Sequence, residues 1–166
     1  MANNMTSNII GNIGENIIAL RLSKYGIFKV YFLGEKAPIE DFLLEILDEA
    51  TPYQCLIQVK AVGDREKQYT QEGNMNTPVP KEKLKKLINR PLPTYVGGAD
   101  IEKEVVYIAA AFDPNIKYSS IPPKLKIDNE DKERSKRALI RLRDDIINYW
   151  NSIQIHNYKS SYQSTF

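Results

Sequence analysis

The stretch DFLLEILDEATPYQCLIQVKA, residues 41–61, decides the fold of this 166-residue chain. It contains two short apolar runs, DFLLEIL (41–47) and QCLIQVKA (54–61), and each is long enough for one β-strand. Between them lie Asp, Glu, Ala, Thr and Pro at 48–52, which is a composition typical of a turn. The sequence therefore predicts a β-hairpin.

The register of this hairpin decides which side chains share a face. Residues opposite each other in an antiparallel pair point to the same face, and a turn centred near residue 50 places Asp41 opposite Gln58 or Lys60. Either register gives one wholly apolar face, made of Phe42, Leu44, Ile46, Cys55, Ile57 and Val59. The other face carries Asp41, Leu43, Glu45, Leu56, Gln58 and Lys60. Because two leucines lie in its middle, we expect this second face to be half covered, with its polar groups converging at one end.

The remaining elements are predicted from apolar spacing and from turn residues. The first helix is expected to begin near Ser7 or Asn8, with a buried stripe of Ile10, Ile13, Ile17 and Leu20. Further elements are a strand at 29–33, a loop at 63–77, a basic helix at 80–89, strands at 94–98 and 104–112, and a last helix at 129–152. This order predicts an α/β fold in which helices flank a mixed sheet, with a single domain over 1–155 and a flexible tail at 156–166.

Composition excludes several classes of protein. No apolar run approaches the ~20 residues that span a bilayer, and the N-terminus lacks the basic and apolar regions of a secretory signal, so a cytoplasmic location is expected. Cys55 is the only cysteine, which excludes an intramolecular disulfide, and it lies on the apolar hairpin face. His156 is the only histidine, which argues against a histidine-assisted nucleophile.

The polar end of the hairpin has two interpretations. Asp41 and Lys60 can be a surface ion pair, which stabilises a protein by roughly 0–1 kcal/mol. Carboxylate and amide oxygens beside an ammonium are also what a metal-dependent phosphodiesterase needs, because they suit a hard cation such as Mg²⁺. The cation lowers the pKa of a bound water, and a lysine such as Lys60 can orient that water.

Asp41, followed after a gap by Gln58-Val59-Lys60, resembles the PD-(D/E)XK nuclease superfamily with Gln58 in the place of the usual acid. The segment GNIGENIIALRL (11–22) is similar to the first helix of that fold, and its Glu15 matches a glutamate that often completes the metal site. The later segments LPTYVGGADIEKEVVYIAAAF and SSIPPKLKID also resemble strands of small prokaryotic members with a Q-x-K motif, so the likeness covers most of 7–150.

This resemblance implies a restriction-endonuclease-like fold of three layers, α/β/α, and a nuclease that cleaves DNA in defence or repair. It implies that Glu15, Asp41 and Gln58 hold Mg²⁺ or Mn²⁺ and that Lys60 positions the attacking water. The rival interpretations are a catalytically inactive module of the same fold, which binds nucleic acid or protein, and a structural subunit in which Asp41 and Lys60 form only an ion pair.

Two basic segments, KEKLKKLINR (81–90) and KERSKRALIRLR (132–143), supply the predicted contacts with phosphates. The residues assigned to nucleic acid are Lys83, Lys86, Arg134, Arg137 and Arg141, and the last helix is expected to carry much of the binding. The other partners considered are a second copy of the chain, as a homodimer, and a larger defence or repair complex; a membrane is not expected. Gly97 and Gly98 are interpreted as a turn at a strand end, and Asp144 and Asp145 as exposed charges.

Overall fold

The computed structural model describes residues 2–34, 37, 39–63, 68–112 and 120–153. The expected tail at 156–166 lies outside these residues. Within the described residues the helices are α1 (Ala2–Ser23), α2 (Lys81–Ile88) and α3 (Lys132–Ser152). The strands are β1 (Phe28–Phe32), β2 (Phe42–Ile46), β3 (Gln54–Val62), β4 (Met75–Asn76), β5 (Thr94–Asp100), β6 (Val105–Ala110), β7 (Ser120–Ile121) and β8 (Leu125–Ile127).

Six of the strands form one mixed sheet in the order β1-β2-β3-β5-β6-β8. Neighbouring strands are antiparallel except β3 and β5, which are parallel. The chain between these two strands crosses one face of the sheet and includes α2, as a parallel connection requires. The short strands β4 and β7 pair separately as a two-stranded ribbon.

The two faces of the sheet have different covers. Helices α1 and α3 pack on one face, where Ile18, Leu139 and Leu142 meet the apolar side of the hairpin. Helix α2 and the β4–β7 ribbon cover the other face, through residues such as Leu84 and Met75. The protein is therefore a mixed α/β fold with a layer on each side of the sheet.

The predicted hairpin is confirmed, in the register that places Asp41 level with Gln58. Phe42 pairs with Ile57 and Leu43 with Leu56. The predicted apolar face is buried throughout: Phe42, Leu44, Ile46, Cys55, Ile57 and Val59 are at most 7% exposed. Leu43 and Leu56 on the opposite face are half-buried, as expected. The alternation of apolar and polar residues was sufficient to place these strands.

The orientation of the first helix differs from the prediction. α1 already begins at Ala2, and it presents Gly14, Ile18 and Leu22 to the sheet. Ile13 and Leu20, which the predicted stripe would bury, are 41% and 60% exposed. The helix carries apolar residues on both sides, so spacing alone did not decide which side packs. Gly14 decides it, because a Cβ there would lie 2.4 Å from the Ala61 Cβ.

Three other predictions are corrected. Gly97 and Gly98 are not a turn: they lie inside β5, paired with Val59 and Lys60 on one side. The segment at 63–77 is not wholly a loop, because β4 lies within it. Apolar spacing did not predict the strands β7 and β8, since two- and three-residue strands have too little alternation to detect, although both lie in the SSIPPKLKID segment that resembles strands of the nuclease superfamily.

Gly14 and Gly11 provide a matched test of how α1 packs. Alanine is preferred to glycine inside a helix by about 1 kcal/mol, so Gly11→Ala, which meets nothing within 4 Å, should stabilise the protein by up to that amount. Gly14→Ala should instead destabilise it by about 1–3 kcal/mol, because its Cβ overlaps Ala61. Denaturant unfolding of both variants measures this. Equal effects would mean that α1 does not pack closely on β3.

Candidate functional site

The site begins where β3 extends beyond its neighbour. β3 has nine residues and β2 has five, and the two pair only as far as Phe42 and Ile57. The Val59 N–H, beyond the last pair, donates instead to the Asp41 Oδ2 at 2.6 Å. A buried backbone N–H needs an acceptor, and Asp41, which directly precedes β2, supplies it. Asp41 is thereby held at the open edge of the sheet.

Gln58 forms a hydrogen bond with the same carboxylate. Its Nε2 donates to the Asp41 Oδ2 at 2.9 Å and to the Val59 carbonyl at 3.2 Å. Both acceptors fix the orientation of the amide, since a flipped group would bring two oxygens together. Among the described residues the Gln58 Oε1 is buried without a hydrogen-bond partner. An unpaired buried acceptor costs about 1–3 kcal/mol, so this oxygen is a candidate ligand for a bound group.

Lys60 lies two residues further along β3, on the same face as Gln58, and its side chain is half-buried. Burial lowers the pKa of the ammonium, the nearby Lys83 lowers it further, and Asp41 acts in the opposite direction. In the described part of the chain the Asp41 carboxylate bonds Gln58 and Val59, whereas Lys60 forms no ion pair with it within 4.0 Å. The simple Asp41–Lys60 ion pair considered from the sequence is therefore not formed.

Asp41 and Glu15 both have raised pKa values. Burial is the main cause for Asp41; the Val59 N–H and the ammonium groups of Lys60 and Lys83 oppose the rise. Burial also raises the pKa of Glu15, and the Asp41 carboxylate raises it further. Asp41 and Gln58 are therefore in direct contact, while Glu15 and Lys60 lie within electrostatic range of the Asp41 carboxylate.

The oxygen atoms of this cluster determine which cation it can hold. Among the described residues no group of three or more histidine, cysteine, aspartate and glutamate side chains is placed to hold a metal ion. A site here would consist of two carboxylates, from Glu15 and Asp41, and the amide oxygen of Gln58. All three are hard oxygen ligands that suit Mg²⁺ or Mn²⁺. A cation would satisfy the unpaired Gln58 Oε1 and offset the repulsion that raises the pKa of Glu15, so the residues fit.

Sequence reasoning missed an ion pair beside the site. Glu40, directly before Asp41, is only 5% exposed, and it accepts a hydrogen bond from Arg90 at the end of the basic segment. A buried carboxylate requires such a partner. The position of Glu40 next to Asp41 was the one available signal. Arg90 therefore has an internal partner, although its segment was interpreted as a contact surface for phosphates.

The predicted phosphate contacts lie on opposite faces of the sheet. Lys83 and Lys86 are exposed on α2, on the face toward which Gln58 and Lys60 point. The three arginines belong to α3, on the other face. Arg134 forms an ion pair with the buried Asp128, while Arg137 and Arg141 are exposed.

Two residues of α3 also bond to the sheet. Asp145 is exposed as expected, but it accepts a hydrogen bond from the Tyr95 hydroxyl, which the sequence did not indicate. Trp150 donates from its indole to the Gln54 carbonyl at 2.9 Å, so it serves the packing of α3.

Comparison of the chain with protein-family models, with curated proteins and with solved structures gives no match. In the residues that the structure describes, no helix has the length and apolar character needed to cross a membrane.

Gln58→Glu tests whether residue 58 faces a cation. The variant places a second carboxylate at hydrogen-bond distance from Asp41, so without metal it should lose about 1–3 kcal/mol of stability. Mn²⁺ should restore much of this loss, because the variant supplies a third carboxylate ligand. Thermal unfolding with Mn²⁺ and with a chelator measures both effects.

The matched control is Gln54→Glu. Gln54 also donates from Nε2 to a carboxylate, the Glu45 Oε2 at 2.9 Å, within the same hairpin but away from Asp41. This variant should be destabilised without any recovery in Mn²⁺. Equal responses of the two variants to Mn²⁺ would show that residue 58 does not face a metal site.

Proposed function

We propose that this protein is a metal-dependent nuclease of restriction-endonuclease-like architecture that hydrolyses phosphodiester bonds in DNA. The observation that carries the proposal is the cluster at the open edge of β3, where the unpaired Gln58 Oε1 lies beside Asp41, with Glu15 and Lys60 next to it. A mixed sheet with a layer on each side is compatible with that architecture.

Each residue has a role in this proposal. Glu15, Asp41 and Gln58 would hold Mg²⁺ or Mn²⁺, which when bound lowers the pKa of a coordinated water and offsets charge on the phosphate. Lys60 would hydrogen-bond the attacking water and orient it toward the phosphorus. Burial and the neighbouring Lys83 lower the pKa of its ammonium, and perturbed pKa values of this kind are typical of sites that bind or transform a ligand. Hydrolysis then forms the bond from the water oxygen to phosphorus and breaks the bond to the leaving oxygen.

The rival proposal, an inactive module that binds nucleic acid or protein, also has a supporting observation. One Asp41 oxygen already accepts two hydrogen bonds from Gln58 and Val59, so the carboxylate has a structural role in addition to any chemical one. Gln58 is also neutral, and it binds a divalent cation less strongly than a glutamate does. Measurement of activity separates these two proposals.

Lys60→Met should reduce DNA cleavage at least about 100-fold, the usual scale for losing a group that positions or deprotonates the nucleophile. Its folding stability should stay close to that of the wild type, since burial disfavours the ammonium that the variant removes. Cleavage of plasmid DNA in Mg²⁺ and in Mn²⁺ is the measurement, with thermal unfolding as the check on folding.

Lys29→Met is the control. Lys29 is exposed on β1 and pairs with Glu45, at the end of the hairpin distant from Asp41, so this variant should cleave like the wild type. Asp41→Asn keeps an oxygen for the Val59 N–H and should be as inactive as Lys60→Met. A Lys60→Met protein that is as active as the wild type would contradict the proposed catalytic role of Lys60. An inactive wild type that still binds DNA would favour the rival.

The positions of the basic residues indicate which of them should contribute most to DNA binding. Lys83 lies near enough to Lys60 and Asp41 to alter both of their pKa values, so α2 borders the cluster, whereas α3 lies behind the sheet. We therefore expect the lysines of α2 to contribute more to DNA binding than the arginines of α3. The sequence alone favoured the last helix instead.

The salt dependence of binding tests this order. Each phosphate contact contributes about 0.9 to the slope of log K against log salt on duplex DNA. Replacing Lys83 and Lys86 with Gln should flatten the slope by up to about 1.8, and replacing Arg137 and Arg141 should flatten it less. A larger effect from the arginine pair would show that α3, and not α2, carries the binding surface. Absence of binding by the wild type at low salt would contradict a nucleic-acid substrate.

A further inference from the structure

A cavity of about 310 Å³ lies between α3 and the sheet, on the face opposite the one toward which Gln58 and Lys60 point. Its floor includes Ile108 and Ala110 of β6 and Leu125 of β8, which belong to the core covered by α1 and α3. Residues of α3 that flank its buried stripe form the opposite wall. Pockets for small molecules range from about 300 to 1,000 Å³, so this cavity fits a small ligand and not an oligonucleotide.

Two opposite charges line the cavity one helical turn apart on α3, Arg141 and Asp145. Opposite charges at this spacing attract each other along a helix. In the part of the chain that the structure describes, however, the two side chains form no ion pair within 4.0 Å, and each bonds a different segment instead. Tyr95, which is only 1% exposed, donates its hydroxyl to the Asp145 Oδ2, and Arg141 donates to the Lys124 carbonyl at 3.5 Å. The fold therefore holds an anion and a cation apart at the edge of an apolar cavity.

Both charged groups keep hydrogen-bonding capacity for a ligand. A guanidinium has five N–H donors, and Arg141 uses one of them among the described residues. A carboxylate has two oxygens, and only the Oδ2 of Asp145 accepts a bond there. The neighbouring Asp144 differs, because Arg143 is its partner. The cavity thus offers one group of donors and one acceptor oxygen, on Cβ atoms about 5–6 Å apart.

We propose that this cavity binds a free amino acid with an apolar side chain. An α-amino acid carries its ammonium and its carboxylate on one carbon, so a single small molecule can reach both charges across one helical turn. Its ammonium donates to Asp145, its carboxylate accepts from Arg141, and its side chain lies on Ile108, Ala110 and Leu125. An anion alone would be repelled by Asp145, and an amine alone by Arg141. The end of a protein chain carries only one of the two charges.

This site does not depend on the proposed nuclease activity, because the cavity and the Gln58–Lys60 side of the sheet lie on opposite faces. It gives Arg141 a function in place of the phosphate contact predicted from the sequence. Loss of amino-acid binding and loss of DNA cleavage are therefore separate outcomes.

Calorimetric titration of the full chain with L-leucine and with L-phenylalanine tests the proposal. Ligands of about ten non-hydrogen atoms should bind with a Kd on the order of 0.01–1 mM. N-acetyl-L-leucine lacks the ammonium and L-leucinamide lacks the carboxylate. Each derivative should therefore bind at least about 10-fold more weakly than L-leucine, the scale for losing a hydrogen bond to a charged group.

Three variants test the residues. Arg141→Gln removes the cation, and Asp145→Asn removes the anion but keeps an oxygen for the Tyr95 hydroxyl. Each should raise the Kd for L-leucine at least about 10-fold. Ala110→Leu fills the floor of the cavity and should abolish binding without any change of charge. Lys136→Gln is the control, because Lys136 is exposed on α3 and does not line the cavity.

Three results would overturn the proposal. The first is a wild type that binds neither amino acid at about 10 mM, which is tenfold above the expected range of Kd. The second is a Kd for L-leucine that both charge variants leave unchanged. The third is equal affinity for L-leucine and its two derivatives, since a site for a zwitterion must require both charges. Thermal unfolding checks that each variant is folded.

Discussion

The bond from the Val59 N–H to the Asp41 carboxylate is the constraint around which the candidate site is arranged. β3 extends past the start of β2, so a buried backbone donor at its edge needs an acceptor that no strand supplies. Asp41 provides it, and the same oxygen orients the Gln58 amide. The consequence is that the Gln58 Oε1 is left without a partner in the described part of the chain, directly beside a carboxylate. A structural requirement of the sheet therefore creates the polar cluster.

Glycine allows the layers to approach this part of the sheet from both faces. Gly14 lets α1 lie against Ala61, and a Cβ at Gly97 would come within 3.1 Å of Ile18 on the same side. On the other side a Cβ at Gly98 would lie 2.7 Å from the Met75 Sδ in the β4–β7 ribbon. The close approach of α1 brings Glu15 toward Asp41, and so the small residues of the core help to determine the electrostatics of the site.

The ionisable groups of the cluster are held in unfavourable surroundings. The pKa of Lys60 is lowered and those of Asp41 and Glu15 are raised, in each case mainly by burial. The buried Glu40, by contrast, has Arg90 as a direct partner. Groups whose charged forms are disfavoured and only partly compensated are typical of sites that bind or transform a ligand. This contrast between a satisfied pair and an unsatisfied cluster supports a functional interpretation of the second.

The sequence by itself determined the hairpin and the division of its side chains between two faces, with Asp41, Gln58 and Lys60 on the same face, because alternation with a period of two gives this division in either of the two registers considered. The structure selected the register that places Asp41 level with Gln58. The sequence also placed α2 and α3, whose apolar residues lie on one side. Only the tertiary structure decided the rotation of α1, and with it the position of Glu15 and the exposure of Ile13 and Leu20. That helix is apolar on both sides, so the contact between Gly14 and Ala61, distant in sequence, selects the buried side. Two other features also depend on contacts between residues that are distant in sequence. These are the ion pair of Glu40 with Arg90 and the pairing of Gly97 and Gly98 with β3.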